Sequence, residues 1–429
     1  MSRTLIRNGT LIDGTGAAPV VDAAVLLDGD RIEAVGPLAS LPRPAGDVTE
    51  IDAAGGTLLP GLIDAHVHLM LEFDALMKLL ATPFSMNFYK AIGHMRRTLD
   101  AGITTVRDAG GADLGLKRSV EQGLVEGPRM QISITALSIT GGHLDFWLPS
   151  GVQLGLMQAH PGLPDGICDG VDAVRKKVRE VLRAGAEVIK VCSTGGVMSP
   201  TDHPDFTQFT PDELEVMVQE GAYRRGIKVM AHAQGAEGVK NALRAGIHSI
   251  EHGIWLDDEA IELFLERGAF LVPTLLAPQA VIEQAEANGT MSPWALQKSK
   301  EVLEAHRASI RRAHEAGVKI AMGTDAGVMP HGTNLRELGL MCDHAGMTPM
   351  EAVVATTRTA AECLGWQDRV GTLEAGKLAD VVVSSVDPLA DIHALTPEAI
   401  RLVVKGGKIV KDAGPAVGSR SAAREVAAD

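Results

Sequence analysis

The stretch PGLIDAHVH, residues 60–68, places an apolar run directly before two histidines that are separated by one residue. A short apolar run bounded by Pro and Gly is typical of a buried strand. Because successive side chains of a strand point to opposite faces, His66 and His68 share one face. We expect that face to line a barrel interior, with both imidazoles at the carboxyl end of the first barrel strand.

The residues that follow alternate short apolar runs with amphipathic segments of helix length. The segment 211–225, for example, starts after Thr210, a typical N-cap, and stops before Gly226. This alternation is typical of a closed parallel barrel more than of an open sheet. We predict an α/β fold, a (β/α)8 TIM barrel, with strands at residues 62–68, 104–108, 130–135, 188–192, 228–232, 249–252, 270–273 and 319–325.

Both ends of the chain have a different pattern, with short alternating runs and turn residues. We predict that residues 1–58 and 370–429 form one small composite β-sandwich domain, and that residues 59–369 form the catalytic barrel. Residues 417–429 are expected to be a polar, alanine-rich tail.

The composition excludes several classes of function. The chain has 40 Lys and Arg against 54 Asp and Glu, a net charge of −14, so it should attract neither nucleic acid nor an anionic membrane. The first residues lack the apolar core of a signal peptide, and we expect a cytoplasmic protein. The 4 cysteines form no C-x-x-C pair and are expected to be reduced thiols.

Polar side chains stand within or at the ends of several predicted strands. Lys190 lies in strand 4, His232 and His252 end strands 5 and 6, and Asp325 ends strand 8. Each of them alone has an ordinary structural explanation. Burying all of them with the two histidines of strand 1 would cost several kcal/mol for each group unless they share a partner. A metal centre supplies that partner.

Lys190 decides how many metal ions we expect. An ammonium has no lone pair and cannot bind a cation, but burial lowers its pKa. The neutral amine can then add carbon dioxide and become a carbamate that bridges two cations. Nitrogen and oxygen ligands without cysteine suit zinc, and cobalt, manganese or nickel also fit. The predicted site has one cation on His66, His68 and Asp325, a second on His232 and His252, and carboxylated Lys190 with a hydroxide between them.

These pieces, in this order, resemble the binuclear, metal-dependent amidohydrolase superfamily. The matching segments are PGLIDAHVH, IKV at 189–191, HA at 232–233, EHG at 251–253, GTD at 323–325 and GKLAD at 376–380. The loops SITGGH, residues 138–143, and STGGVMSPTD, residues 193–202, are similar to those of the prolidase-like dipeptidase and carboxypeptidase branch, which is related to ochratoxin-type amidases. The resemblance implies the barrel with its composite β-sandwich, and hydrolysis of dipeptides, N-acyl amino acids or, in some relatives, mycotoxin amides.

The expected mechanism gives two residues catalytic roles. Asp325 should take a proton from the bridging hydroxide and deliver it to the leaving amine. His143, on the loop after strand 3, should stabilise the oxyanion or bind a substrate carboxylate. Arg107 and Asp108 are expected to form a structural ion pair beneath the site.

Two further residues are candidates for substrate binding. Several peptidases of this branch carry an aromatic hydroxyl two residues after the strand-5 histidine, where this chain has Gln234. Gln still donates a hydrogen bond, but a preference for a substrate carboxylate no longer follows. His331, shortly after Asp325, is the second candidate for the pocket wall.

Three functions are compatible with these residues. The leading one is a hydrolase of dipeptides or N-acyl amino acids, and the second acts on another amide, a cyclic amide, a carbamate or a mycotoxin amide at the same binuclear site. A non-catalytic assembly protein would lack metal ligands, whereas all six are present here. The expected partners are a small-molecule substrate and further copies of the chain. Relatives often assemble, the octamer is one state considered, and the apolar face of a predicted helical segment, 349–364, agrees with assembly.

Overall fold

The computed structural model describes residues 3–414 except 43–46, 73–77, 79–80, 149, 156–158 and 290. The tail predicted at 417–429 lies outside the described residues. The strands are β1 Arg3–Leu11, β2 Val20–Asp28, β3 Arg31–Pro37, β4 Val48–Asp52, β5 Thr57–Pro60, β6 Leu62–Val67, β7 Ile103–Asp108, β8 Arg129–Ile132, β9 Ala136–Leu137, β10 Asp145–Trp147, β11 Gln153–Gly155, β12 Ile189–Cys192, β13 Val229–Ala233, β14 Ser249–His252, β15 Phe270–Val272, β16 Lys319–Ile320, β17 Val381–Ser384, β18 Ile400–Lys405 and β19 Lys408–Asp412.

The helices are mostly amphipathic and cover the outside of the parallel strands. They are α1 Met86–Asp100, α2 Leu114–Glu121, α3 Val171–Ala184, α4 Pro211–Ala222, α5 Ala236–Arg244, α6 Asp258–Arg267, α7 Leu276–Asn288, α8 Pro293–Glu315, α9 Arg336–Ala345, α10 Pro349–Ala355 and α11 Arg358–Leu364. None of the described helices is both long and apolar enough to cross a membrane.

One sheet combines strands from the two ends of the chain. Its strand order is β19-β18-β17-β5-β1-β2-β3, with β4 paired to β1, and β17 runs antiparallel to β5. The sheet has its own apolar core, which includes Ile6, Val25, Leu58, Val381 and Val404. The domain bounds given above stay a prediction. β5 ends at Pro60 and the first barrel strand begins at Leu62, so no linker marks a boundary between the sheet and the barrel.

The remaining parallel strands form a closed barrel, and the predicted fold class is confirmed. Strands β6-β7-β8 make one hydrogen-bonded group and β9-β12-β13-β14-β15-β16 the other. At one seam, the Ala65 amide donates to the Met322 carbonyl at 2.9 Å. At the other, the Glu187 amide donates to the Ile132 carbonyl at 2.8 Å. Closure brings the carboxyl ends of all the barrel strands to one mouth.

Three elements differ from their predicted form, and the eighth barrel strand is the simplest case, because β16 ends at Ile320 and not at residue 325. The third barrel strand is interrupted, because Ile134 has a left-handed backbone with φ of 70° between β8 and β9. The segment predicted as one helix at 349–364 is two helices, α10 and α11. Thr357 Oγ1 donates to the Val353 carbonyl one turn back, a local bond of the kind that bends helices, and Thr356 Oγ1 donates to the Ile63 carbonyl on β6. The homo-oligomer stays a prediction.

Candidate active site

A cavity of about 80 Å³ lies at the carboxyl ends of the barrel strands. Its wall contains all six predicted metal ligands, namely His66, His68, Lys190, His232, His252 and Asp325, together with His143 and Gln234. Much of the remaining wall is apolar and comes from the loops and from α7, including Leu144, Val197, Ile254, Val281 and Val328. The cavity therefore combines a polar floor with apolar sides.

His66, His68 and Asp325 converge on one point of this floor. Oδ1 of Asp325 lies 3.4 Å from Nε2 of His66 and 3.2 Å from Nε2 of His68. One ligand atom from each residue lies within 4.8 Å of the other two. The sequence predicted this trio, and the closure of the barrel between β6 and the segment after β16 explains why it meets.

The hydrogen bonds behind the two histidines show which ring nitrogen faces the cavity. Nδ1 of His66 lies 2.7 Å from Oε2 of Glu251, and Nδ1 of His68 lies 2.9 Å from the Gly110 carbonyl. Both partners only accept, so each Nδ1 carries the proton and each Nε2 keeps a lone pair. Two imidazole lone pairs and a carboxylate oxygen therefore face one another. Because these three electron-rich atoms repel one another, a cation or a proton must lie between them. Two imidazole nitrogens and a carboxylate oxygen are suitable ligands for a divalent metal ion.

Glu251 is a residue of the site that the sequence analysis did not assign. Its carboxylate also accepts from Arg107 Nη2 at 2.9 Å and from Ser249 Oγ at 2.7 Å. The expected ion pair between Arg107 and Asp108 is wrong, because Asp108 instead accepts from the amides of the loop that follows β7. The available signal for this pair was a charged residue inside each of two buried strands, Arg107 in β7 and Glu251 in β14.

Asp64 links β6, which carries His66, to the segment that carries Asp325. Its buried carboxylate accepts from the His66 amide at 3.0 Å and from Thr324 Oγ1 at 2.6 Å. The Asn334 side-chain amide donates to it at 2.8 Å. Burial raises the pKa of Asp64 to about 6, and these hydrogen bonds oppose the rise. The link fixes β6 against the segment that carries Asp325.

Lys190 lies beside the trio. Its Nζ is 3.5 Å from Nε2 of His66, and the side chain is buried. Removal from water lowers the pKa of Lys190 below its ordinary value, although the negative charges of Glu251 and Asp325 oppose the shift. Burial therefore favours the neutral amine that the sequence analysis predicted.

His232 and His252 form the next part of the floor. Their ring centroids are 4.6 Å apart, and the centroids of His252 and His66 are 5.3 Å apart. Nε2 of His232 donates to the Gly195 carbonyl at 2.9 Å, which leaves Nδ1 as its acceptor. Burial lowers the pKa of both rings well below the ordinary value, so both are neutral and suited to a metal. Lys190, which lies beside His66, cannot bind a metal ion until its amine is modified.

Two of these residues have an unusual backbone. His252 and Asp325 adopt left-handed φ values of 76° and 62°. Such a conformation costs about 1–3 kcal/mol for a residue other than glycine and is found most often at functional sites. His252 ends β14 and Asp325 follows β16, and both side chains line the cavity.

The three candidates for substrate binding have different locations. His143 and Gln234 line the cavity, and Oε1 of Gln234 is buried without a hydrogen-bond partner among the described residues. His331 does not line it. Its ring instead stacks on His94 with the centroids 4.4 Å apart, and its Nε2 faces the Leu71 carbonyl at 3.4 Å. The loop after Asp325 turns His331 away from the barrel mouth.

Residues 57–410 match the model of the Amidohydrolase family. The chain belongs to this family. An ochratoxinase from Aspergillus niger is 36% identical to this amidohydrolase over 428 residues, which cover 97% of this chain and 88% of the relative. The match agrees with the branch that the loop motifs indicated.

Solved structures give the same result for the fold of the amidohydrolase. The crystal structure of a Xaa-Pro dipeptidase with bound methionine in the active site matches with a TM-score of 0.84 at 33% identity, covering 95% of this chain and 99% of that one. A prolidase complexed with N-methylphosphonate-L-proline matches with a TM-score of 0.87 at 34% identity, covering 96% and 100%. The amidohydrolase is an enzyme, a hydrolase that acts on C–N bonds, and its family generally uses a binuclear metal centre.

Proposed function

We propose that this amidohydrolase cleaves the amide bond of dipeptides or N-acyl amino acids. The observation that supports the proposal most directly is the convergence of His66, His68 and Asp325 in a cavity whose wall also holds Lys190, His232 and His252. The similarity to a Xaa-Pro dipeptidase and a prolidase over nearly the whole chain supports the substrate class.

The chain's own residues fit two divalent cations, with zinc as the first choice and cobalt, manganese or nickel as alternatives. His66, His68 and Asp325 would hold one ion, and His232 and His252 would hold the other. The neutral Lys190 amine would add to carbon dioxide, forming a nitrogen–carbon bond as one C=O π bond opens and one proton leaves the nitrogen, and the resulting carbamate would be a ligand of both ions. When bound, the ions supply an activated water at neutral pH and polarise the scissile carbonyl.

Asp325 is the proton carrier in this proposal. Its carboxylate faces the cavity beside His66 and His68. An ionised Asp325 accepts a proton from the attacking water and returns it to the nitrogen of the leaving amine.

His143 and Gln234 bind the polar part of the substrate, and the loops enclose its apolar part. The unpartnered Oε1 of Gln234 is a buried polar atom that a donor on the substrate would satisfy. The apolar sides, with Leu144, Val197 and Ile254, favour a substrate with a hydrophobic side chain.

A second candidate substrate is an ochratoxin amide. The identity of 36% to an ochratoxinase over 97% of this chain favours it, and an apolar cavity suits an aromatic acyl group. The two candidates use the same site and differ only in the group that occupies its apolar sides.

The test is an assay panel with the zinc-loaded enzyme, containing dipeptides, N-acyl amino acids, ochratoxin A, cyclic imides and carbamates. Each N-acyl amino acid is matched with its carboxamide, so that a requirement for a free carboxylate is measured directly. We expect hydrolysis of a dipeptide or N-acyl amino acid that is lost with a chelator and restored by zinc. Turnover of cyclic imides or carbamates alone would contradict the proposal.

A further inference from the structure

The loop of residues 193–208, after β12, fixes the plane of the His143 ring. A Cβ atom on Gly196 would lie 2.1 Å from Cε1 of this ring, so the imidazole lies directly against the glycine backbone. On its other side, the ring stacks on His232 with the centroids 4.2 Å apart and the planes at 20°. These two contacts fix the plane of the His143 ring but not the rotation of the ring within that plane.

A serine and an aspartate determine that rotation. Nδ1 of His143 lies 2.9 Å from Oγ of Ser199, and the Ser199 hydroxyl donates to Oδ1 of Asp202. The other oxygen of Asp202 accepts from the Gly196 amide at 3.2 Å and from Gln208 Nε2 at 3.3 Å. Both oxygens of Asp202 act as acceptors in these hydrogen bonds, and Oδ1 takes the one proton of Ser199. The serine oxygen must then accept from Nδ1 of His143.

The same aspartate also reaches the main chain of His143. Gln208, which donates to Asp202 through Nε2, accepts the His143 amide through Oε1 at 3.3 Å. Ring and backbone of His143 are therefore both connected to one buried carboxylate.

Lys298, on α8, holds this loop from outside. Its buried ammonium donates to the carbonyls of Gly196 at 3.0 Å, Ser199 at 2.9 Å and Asp202 at 2.5 Å. Nζ of Lys298 also lies 3.5 Å from Oδ1 of Asp202, so the lysine contacts both the main chain of the loop and its carboxylate. Lys298 is not part of the cavity wall, so any effect on the reaction passes through the loop.

We infer that Ser199, Asp202 and Lys298 are positioning residues that hold His143 in the Nδ1–H tautomer, with the Nε2 lone pair available to the cavity. The consequence of this inference for substrate binding rests on the proposed function. The neutral ring accepts a hydrogen bond from an N–H or O–H group of the substrate, such as the amide N–H, and does not donate one to the oxyanion.

The first test reads the tautomer directly and needs no activity. Nitrogen NMR spectra of the zinc-loaded protein with ¹⁵N-labelled histidine give the protonation of each ring, and the signal of His143 is the one lost in His143→Gln. We expect a protonated Nδ1, and a shift toward protonated Nε2 in Asp202→Asn and Ser199→Ala. A protonated Nε2 with a bare Nδ1 in the unmodified protein overturns the inference, even if every substrate of the panel fails.

The second test is a double-mutant cycle on a substrate that the panel identifies. We expect Ser199→Ala to lower kcat/KM by about 10–100-fold in the unmodified protein and by less than about 2-fold in His143→Gln. Equal losses in both backgrounds would show that Ser199 acts without His143 and overturn the inference. Ser40→Ala, at an exposed serine far from the cavity, should leave kcat/KM unchanged.

The variant Lys298→Met tests the role of the lysine in holding His143. Its zinc content should equal that of the unmodified protein, while the NMR signal of His143 shows both tautomers and kcat/KM falls. A single Nδ1–H signal in folded Lys298→Met would remove the lysine from the inference. If this variant does not fold, the serine cycle and the tautomer measurement still decide the outcome.

Discussion

Oε2 of Glu251 lies 2.7 Å from Nδ1 of His66, and both side chains are buried. The carboxylate fixes the proton on Nδ1 and leaves the lone pair of Nε2 facing Asp325. A carboxylate behind a metal-binding histidine orients the ring and increases its basicity. Arg107 neutralises the second oxygen of Glu251 from the barrel interior. The barrel core therefore fixes the orientation of the His66 ring before any substrate enters, as the proposed metal centre requires.

Glu251→Gln should therefore weaken zinc binding. The amide replaces a charged acceptor with a neutral one, and we expect the affinity to fall about 10–100-fold. Equilibrium competition with a chelator measures the affinity, and circular dichroism reports folding. Glu266→Gln, at an exposed position, is the matched control. Unchanged affinity in folded Glu251→Gln would contradict the role given to Glu251.

Lys190→Ala should lose both metal and activity, because it removes the amine that forms the carbamate. Short carboxylic acids should restore part of the activity by replacing the missing carboxylate. Metal content per chain and turnover with and without added acid are the measurements, and Lys228→Ala, at an exposed lysine, is the control. A metal content equal to that of the unmodified protein would count against the carbamate.

Asp325→Asn should keep the fold but lower kcat by orders of magnitude. The amide has no basic oxygen and cannot accept a proton from water at neutral pH. Turnover at saturating zinc, compared with that of the exposed control Asp368→Asn, measures the effect. Near-normal turnover would remove Asp325 from proton transfer.

The lowered pKa of His248 predicts that part of the stability of the folded protein is lost in acid. Burial, with the nearby charge of Arg107, lowers its pKa from 6.5 to about 4, and its Nε2 lies 3.0 Å from the Cys363 carbonyl. Between these two pH values the unfolded chain binds a proton that the folded protein excludes. Stability from this group is therefore full above pH 6.5 and is lost as the pH falls toward 4.

His248→Gln should accordingly flatten the stability profile on the acid side. We expect the free energy of unfolding to fall by up to ~2 kcal/mol less between pH 7 and pH 5 than in the unmodified protein. Urea unfolding at fixed zinc across this range measures the difference. His393→Gln, at an exposed histidine, is the matched control. A steeper acid-side fall in His248→Gln would contradict the sign of the shift.

Sequence reasoning predicted the barrel and placed the candidate ligands well. The alternation of a strand puts His66 and His68 on one face, and the rule that parallel strands end at one mouth brings Asp325 to them. The same reasoning failed for Arg107, because its partner Glu251 lies on a strand far along the chain and no spacing connects them. It also failed for His331, whose direction depends on how the loop after Asp325 turns.

By itself, the sequence determined the order of strands and helices, the pairing of both chain ends in one sheet, and which imidazoles, lysine and aspartate meet at the barrel mouth. These follow from local periodicity and from the small number of ways in which alternating strands and helices close. Only the tertiary structure decided which nitrogen of each histidine carries its proton. Hydrogen-bond partners such as Glu251 and Ser199 are brought to the rings by contacts between distant segments, which no local pattern encodes.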